Sequence, residues 1–403
     1  MNQNFLDTIY LFSCGANGIV PEITHEFDFK AIHTISRTQG VWETVFLGIK
    51  SLCEKNPDVI PQELYGQFHS KFIALCGMQY RRYAIMHKML KILNENGIET
   101  CVLKGESVAR FYHTPIARVS SDFDILIDPK KLDLCLSILR ENGFNTGARV
   151  YDSHQIECVH PVVGLVEIHI MMYGKKTEDV CFHNEVKYNE PYINVEAEDG
   201  TIYQTLGITD NFLFLLLHFM KHFLSEGVGM RQLLDVLLYV KNNYSSIDWE
   251  RANTAIANLG FTKIFHCLIS IGIKYFMFPE DLITVQETDE VLVSKIFNDM
   301  MQGGVFGHND SKRRGFYDLY LNERCKTIKI RNYELYRNTR KLSRLFPDAE
   351  FMSINFPYVT KSKLLLPVAW GHRIIKGLLP QKTKPVAPEH LERLKLLQEL
   401  EMI

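Results

Sequence analysis

The chain has 403 residues, with 45 Lys plus Arg against 47 Asp plus Glu and a formal net charge of −2. Both signs are interspersed, so there is no broad basic field of the kind that binds nucleic acid, and nucleic acid is not an expected partner. The length and an ordinary globular composition support two or three domains with ample core. Nine cysteines, an odd number without a C-x-x-C pair, argue for reduced thiols rather than a disulfide framework. The N-terminal stretch lacks a basic n-region and contains Asp7, unlike a signal peptide. The most apolar run, residues 212–220, is too short to span a membrane and carries His218. The expectation is a soluble, cytoplasmic protein without a transmembrane segment.

In chain order, residues 1–99 read as helical. Two short helices are expected at 29–35 and 42–53, and Pro57 and Pro61 mark a loop. Phe72, Leu75, Tyr83, Met86, Leu90 and Leu93 then recur at three- and four-residue spacing, a long helix that Gly97 ends. Residues 100–103 are β-branched and apolar and predict a strand, which breaks at Lys104-Gly105; residues 106–112 predict one or two helical turns. A second strand follows at 122–127. Asp128-Pro129 opens a helix whose buried stripe is Leu132, Cys135, Leu136 and Leu139, stopped by Asn142-Gly143. Residues 156–163 and 165–171 predict a hairpin turning near Val163-Gly164. A second hairpin is expected at 192–195 and 201–204, around Glu198-Asp199-Gly200. From about residue 208 the pattern is helical again, with Asp210 as the expected cap of a helix over 211–224 and a further helix at 230–241. A flexible connection at 303–307 precedes the cationic run Lys312-Arg313-Arg314, which reads as a solvated face. Residues 361–384 read as core edge, and 388–402 as a terminal amphipathic helix. The fold class is therefore α+β: a small mixed sheet with helices on one side over residues 100–205, between helical regions 1–99 and 206–403.

The chemistry concentrates in the strand-rich part. Side chains alternate across a strand, so Asp122 and Asp124 share one face while Phe123 and Ile125 take the other. The same rule puts Glu167 and His169 together, opposite Val166 and Ile168. Three acids on two short strands behind a glycine turn are what a two-metal phosphoryl-transfer site needs. As like-charged neighbours, either aspartate should be replaceable by Asn with metal-free stability held or slightly raised. Lys104 sits where the strand opens into the turn, as a phosphate contact or a solvated strand end. Ser107 stands near the start of the short helix, as a phosphate donor or a simple cap. Arg118, four residues before Asp122, either neutralises phosphate or steadies its loop through an ion pair. His218 and His222 share a helix face at zinc-like spacing, but the run H-F-M-K-H lacks the metalloprotease glutamate and no third ligand is at hand. Arg231 and Asp235 are also four apart and positioned to pair.

Gly105 after a strand, the D-x-D of Asp122 and Asp124 and the later acid Glu167 together resemble the DNA polymerase β-like nucleotidyltransferase superfamily. The version LKG, SDFDILI, VEIHI and then LHFMKHF and RQLLD is similar to bacterial nucleotidyltransferase family proteins. The turn Gly105-Glu106-Ser107 departs from the usual Gly-Gly or Gly-Ser, and Gly105 stands somewhat far from Asp122. The resemblance implies that an NMP moves from an NTP, with ATP the expected one, to a hydroxyl of a small molecule or protein. Asp122, Asp124 and Glu167 would hold Mg²⁺ or Mn²⁺, and Lys104, Gly105, Ser107 and Arg118 would face the nucleotide. It further implies that Arg231 or Lys221, on the helical pair after the sheet, meets the triphosphate. Transfer of the γ-phosphoryl group from the same site is the nearby alternative. A catalytically silent nucleotide-binding or protein-interaction module on the same fold is the alternative from another class.

Overall fold

The computed structural model describes residues 2–147, 154–173, 182, 185–225, 227–285, 289–303, 316–317, 319–321, 346, 352, 356, 358, 362–378 and 388–403. The fold is α+β. The chain opens with α1 (Gln3–Asn17), α2 (Phe29–Thr38), α3 (Trp42–Lys55) and the long α4 (Gln62–Glu95). Helix α4 begins ten residues before Phe72, and its first turns bury Phe68, with Leu64 and Tyr65 half-buried. It ends where Asn96 caps it and Gly97 adopts φ 70°, the left-handed turn that feeds the first strand.

The strands are β1 (Thr100–Val102), β2 (Asp122–Ile127), β3 (Asn145–Thr146), β4 (Gln155–His160), β5 (Gly164–His169), β6 (Ile193–Glu196) and β7 (Ile202–Thr205). Among the described residues they form one mixed sheet in the order β3-β4-β5-β2-β1-β7-β6. Both hairpins read from the turn residues are present, with β4 and β6 pairing antiparallel to β5 and β7. The short α5 (Glu106–Ala109) follows β1, and α6 (Leu132–Glu141) follows β2 after a 3₁₀ turn capped by Asp128. Helical structure resumes with α7 (Ile208–Ser225), α8 (Met230–Asn243), α9 (Trp249–Asn258), α10 (Thr262–Phe276) and α11 (Glu290–Gly303). Near the C-terminus lie α12 (Leu366–Leu378) and α13 (Pro388–Glu399). Lys312-Arg313-Arg314 lies outside the described residues.

Helices cover both faces of the sheet, not one. Phe123, Ile125, Ile127, Val166 and Ile168 pack with Met86, Leu90 and Leu93 of α4 and Leu132, Cys135 and Leu139 of α6. On the other face Cys101 and Leu103 join a larger core built from α1, α3 and the helices after the sheet, with Leu126 packed against it. The alternation along β1 and β2 provides apolar residues for both sides, so neither face is left to water. Helix α7 also starts earlier than Asp210 suggested. Glu190 Oε2 accepts the N–H groups of Thr209 at 2.8 Å and Asp210 at 3.1 Å, capping the helix from outside it. Asp210 instead accepts from the Glu190 N–H at 2.8 Å and pairs with Arg251.

Candidate active site

Strands β2 and β5 are parallel neighbours, with Asp122 opposite Leu165, Asp124 opposite Glu167 and Leu126 opposite His169. Because the odd-numbered apolar residues of β2 go into the core with α4 and α6, the carboxylates of Asp122 and Asp124 emerge on the opposite face beside Glu167. His169 Nε2 lies 3.1 Å from Asp124 Oδ1 and 3.6 Å from Glu167 Oε2. The turn that leads in depends on Gly105, whose φ of 70° and ψ of −107° suit a residue without Cβ. A Cβ there would meet nothing closer than Ser120 Oγ at 3.9 Å, so the demand for glycine is conformational rather than steric.

The N-terminal helices brace the loops around these acids. Arg82 of α4 donates from Nε to the Val163 carbonyl at 2.7 Å and from Nη2 to the Ser121 carbonyl at 3.0 Å, and its Nη1 donates to the Ser120 carbonyl. One buried guanidinium thus ties the residues before β2 to the turn before β5. Thr44 of α3 donates its hydroxyl to the Ala117 carbonyl at 3.1 Å, and the His113 N–H reaches the Ala16 carbonyl at 2.8 Å.

Lys104 Nζ lies 3.2 Å from Asp122 Oδ2 and 3.2 Å from Asp124 Oδ1. Burial alone would lower its pKa, but Asp124, Asp122 and Glu167 outweigh it and hold the ammonium well above the ordinary lysine value. Burial likewise works against an ionised Asp124, yet Lys104 and His169 keep its carboxyl well below the usual carboxylate range. For His169 burial favours the neutral ring, and Asp124 and Glu167 reverse the balance, so its pKa is raised. Asp122 also accepts from the hydroxyls of Ser120 and Ser121, each at 3.2 Å. His218 of α7 has its Nε2 3.5 Å from Lys104 Nζ. Burial, then the Lys104 charge, push His218 well below the ordinary histidine pKa, so it is neutral.

Beside the acids, between β2 and helices α7 and α8, a cleft is lined by Lys104, Arg118, Ser120, Asp122, His218 and Arg231. Arg118 is buried and forks onto Asp235, from Nε at 2.9 Å and from Nη2 at 2.5 Å, while Tyr112 donates to the same carboxylate at 2.8 Å. Its Nη1 is buried with no hydrogen-bond partner among the described residues. Arg231 donates from Nη1 to the Val119 carbonyl, so Asp235 takes a partner from across the fold instead of the one a helical turn away. Ser107 is fully buried, with its hydroxyl 3.5 Å from the Leu103 carbonyl, and is not among the residues lining the cleft. Glu106, which follows Gly105, turns away to His87, whose Nε2 lies 2.8 Å from Glu106 Oε1 and whose Nδ1 lies 2.7 Å from Asp199 Oδ2.

The donor set suits a divalent cation. Candidate ligand atoms of Asp124, Glu167 and His169 lie within 4.8 Å of one another. Asp124 is 2% exposed, and its Oδ2 has no hydrogen-bond partner among the described residues. A buried carboxylate oxygen in that condition is costly unless a cation or donor meets it.

Sequence reasoning passed over Arg82, although a check of the helix face would have found it: Arg82 lies four residues before Met86 and eight before Leu90, on the buried stripe. The spacing of His218 and His222 along the sequence speaks only to a shared helix face, whereas the place of His218 beside Lys104 comes from tertiary packing.

No curated relative matches the sequence. Among solved structures a "tRNA-processing enzyme (apo form I)" aligns over 79% of this chain and 97% of its own, at 13% identity and a TM-score of 0.23, an overlap too loose to bear on the activity. No single helix among the described residues is long and apolar enough to cross a membrane. A family model described as "Uncharacterised nucleotidyltransferase" matches residues 25–276, which hold the whole sheet, the three carboxylates and the cationic cleft; the chain belongs to that nucleotidyltransferase family.

Proposed function

We propose that the protein transfers a nucleoside monophosphate from an NTP, ATP first among the candidates, to a hydroxyl of a small molecule or protein. The observation that carries this reading is the pairing of Asp124 with Glu167 on adjacent parallel strands, with Asp122 two residues away and a cationic cleft alongside. Lys104, Arg118 and Arg231 line that cleft and would oppose the triphosphate charge, and Arg118 Nη1, without a partner among the described residues, is a donor for a phosphate oxygen. Glu167 would take the proton of the acceptor hydroxyl as its oxygen bonds to the α-phosphorus and the bond to pyrophosphate breaks. Mg²⁺ or Mn²⁺, held by Asp124 and Glu167 with Asp122 and His169 beside them, would neutralise charge on the phosphates and lower the pKa of the acceptor. Catalysis of this kind is mostly positioning and electrostatics, which suits acids fixed on two central strands. The described cysteines are free thiols, in keeping with a cytoplasmic setting.

The silent nucleotide-binding alternative draws on one observation: Ser107 is buried and its hydroxyl faces a backbone carbonyl, away from the cleft. Calorimetry of the four NTPs with Mn²⁺ and with Mg²⁺, joined to pyrophosphate release with pooled acceptors, separates the readings. The enzyme binds at least one metal–NTP and releases pyrophosphate. Binding without release under every acceptor condition supports the silent module, and no binding at all overturns both.

A further inference from the structure

The acid cluster contains a cation of its own. Lys104 Nζ is equidistant from Asp122 Oδ2 and Asp124 Oδ1, at 3.2 Å from each. That is the place between alternate strand carboxylates where a shared divalent ion would sit. An ion ligated by both oxygens at about 2.0–2.1 Å would collide with the ammonium. The lysine has little freedom to withdraw: its side chain is 17% exposed, and His218 Nε2 stands 3.5 Å from Nζ. Withdrawal would also break a buried ion pair on two sides at once.

The other side of Asp124 is different. Its Oδ2 has no hydrogen-bond partner among the described residues, and Asp124 as a residue belongs to the compact group with Glu167 and His169. The carboxylate is thus divided, with Oδ1 shared by Lys104 and His169 and Oδ2 left for a second cation. Asp122 is occupied by Lys104, Ser120 and Ser121 and is not part of that compact group.

We propose that this site operates with one divalent ion, held by Asp124, Glu167 and His169, and that the Lys104 ammonium stands where the second ion of a two-metal site would be. The proposal rests on the nucleotidyl-transfer reading above and narrows its expectation of two ions. A fixed single charge at that position supplies part of the neutralisation that a second ion would give, and it needs no exchange with solvent.

The test is the number of Mn²⁺ ions bound per full-length chain, by equilibrium dialysis with one equivalent of an NTP analogue that cannot be cleaved between the α- and β-phosphorus. Electron paramagnetic resonance reports in parallel whether bound ions are paired. The wild type should hold one Mn²⁺ with no spin–spin coupling. Lys104→Met keeps an unbranched side chain one atom shorter, without the charge, and should hold two, coupled. Asp122→Asn should keep the single ion with its affinity changed less than about threefold, whereas Asp124→Asn should lose at least ~10-fold, the scale already reached when only a partner behind the ligands is removed. Two ions in the wild type, or one in Lys104→Met, would overturn the proposal while leaving nucleotidyl transfer standing. No bound ion in the wild type would overturn the metal reading as a whole. If Lys104→Met does not fold, the wild-type count and the Asp122→Asn affinity still decide.

Discussion

Arg118 and Asp235, 117 residues apart, face each other as a buried two-pronged pair, with Nε to Oδ1 at 2.9 Å and Nη2 to Oδ2 at 2.5 Å. The pair fastens the loop before β2 to helix α8, and Tyr112 adds a third bond to the same carboxylate. Local spacing on α8 points to Arg231 as the partner of Asp235. The tertiary partner prevails because a planar guanidinium from across the cleft meets both carboxylate oxygens at once. Arg231 is then left to the Val119 carbonyl, on the same loop.

Asp235→Asn should therefore be among the more destabilising single substitutions near the site. It leaves Arg118 buried without its counter-charge, a loss of about 3–5 kcal/mol for a pair of this kind. Urea denaturation measures it, and a loss below about 1 kcal/mol would contradict the assignment. Arg118→Lys should recover only part of the stability, since an ammonium cannot reproduce the fork.

The two aspartates of β2 should respond unequally to removal of charge in metal-free protein. Viewed as like-charged neighbours they repel, and losing one should help. Lys104 between them and His169 beside Asp124 reverse the sign. Asp124→Asn should lose about 3 kcal/mol in the presence of a chelator, and Asp122→Asn, nearer solvent, about 1–2 kcal/mol. An increase in stability for Asp124→Asn would show that Lys104 does not hold this position in solution.

His87 gives a pH dependence away from the metal ligands. It is 5% exposed, lies between Glu106 and Asp199, and packs beside the rings of Tyr83 and Tyr203. Burial pulls its pKa down, but the two carboxylates win and raise it. Asp199 is shifted the other way, to about 2: its slight burial opposes ionisation, and His87 and the Thr201 N–H overcome that. A raised histidine contributes fully below its unfolded pKa of ~6.5 and loses that contribution as pH climbs through the folded value. A depressed aspartate contributes above ~3.9 and loses the contribution as pH falls through its folded value. The cluster should thus stabilise most between about pH 4 and 6.5. The difference in unfolding free energy between wild type and His87→Gln should be larger at pH 6 than at pH 8.5. Equal differences at both, or a larger one at pH 8.5, would count against the cluster.

Glu167 and His169 share a face of β5 but should separate in kinetics. Glu167→Gln keeps size and removes the charge that assists the acceptor hydroxyl, so turnover should fall ~10²-fold or more. His169→Ala removes an ion ligand but no charge that assists the acceptor and should cost less turnover, and nucleotide affinity should change by no more than about ten-fold in Glu167→Gln. Equal losses of turnover in the two variants would assign the chemistry to both side chains. Unchanged turnover in Glu167→Gln would remove it from the reaction.

The parts of this fold that were legible in the sequence are those set by local rules. Alternation along residues 122–127 put both aspartates on one face, glycine-containing turns marked both hairpins, and Asp128-Pro129 marked a helix start. Long-range partners were not legible. Nothing in spacing says that β2 lies parallel to β5 with Asp124 opposite Glu167, or that Arg82 bonds three carbonyls on two loops. Asp210 shows the limit at short range: a good capping residue lost that role because Glu190 reached the first N–H groups from outside the helix. Lys104 was visible as a cation near the turn, but its position between two carboxylates depends on β1 lying beside β2, with His218 of α7 closing on it at 3.5 Å.

The measurement that bears most directly on the account is the fate of the label when wild type and Asp124→Asn are incubated with acceptors and ATP labelled at either the α- or the γ-phosphorus, with Mn²⁺. Nucleotidyl transfer at this site predicts that wild type fixes the α-label to an acceptor and releases the γ-label in pyrophosphate, and that Asp124→Asn does neither. Transfer of the γ-label to the acceptor, or α-label transfer that survives in Asp124→Asn, would contradict it.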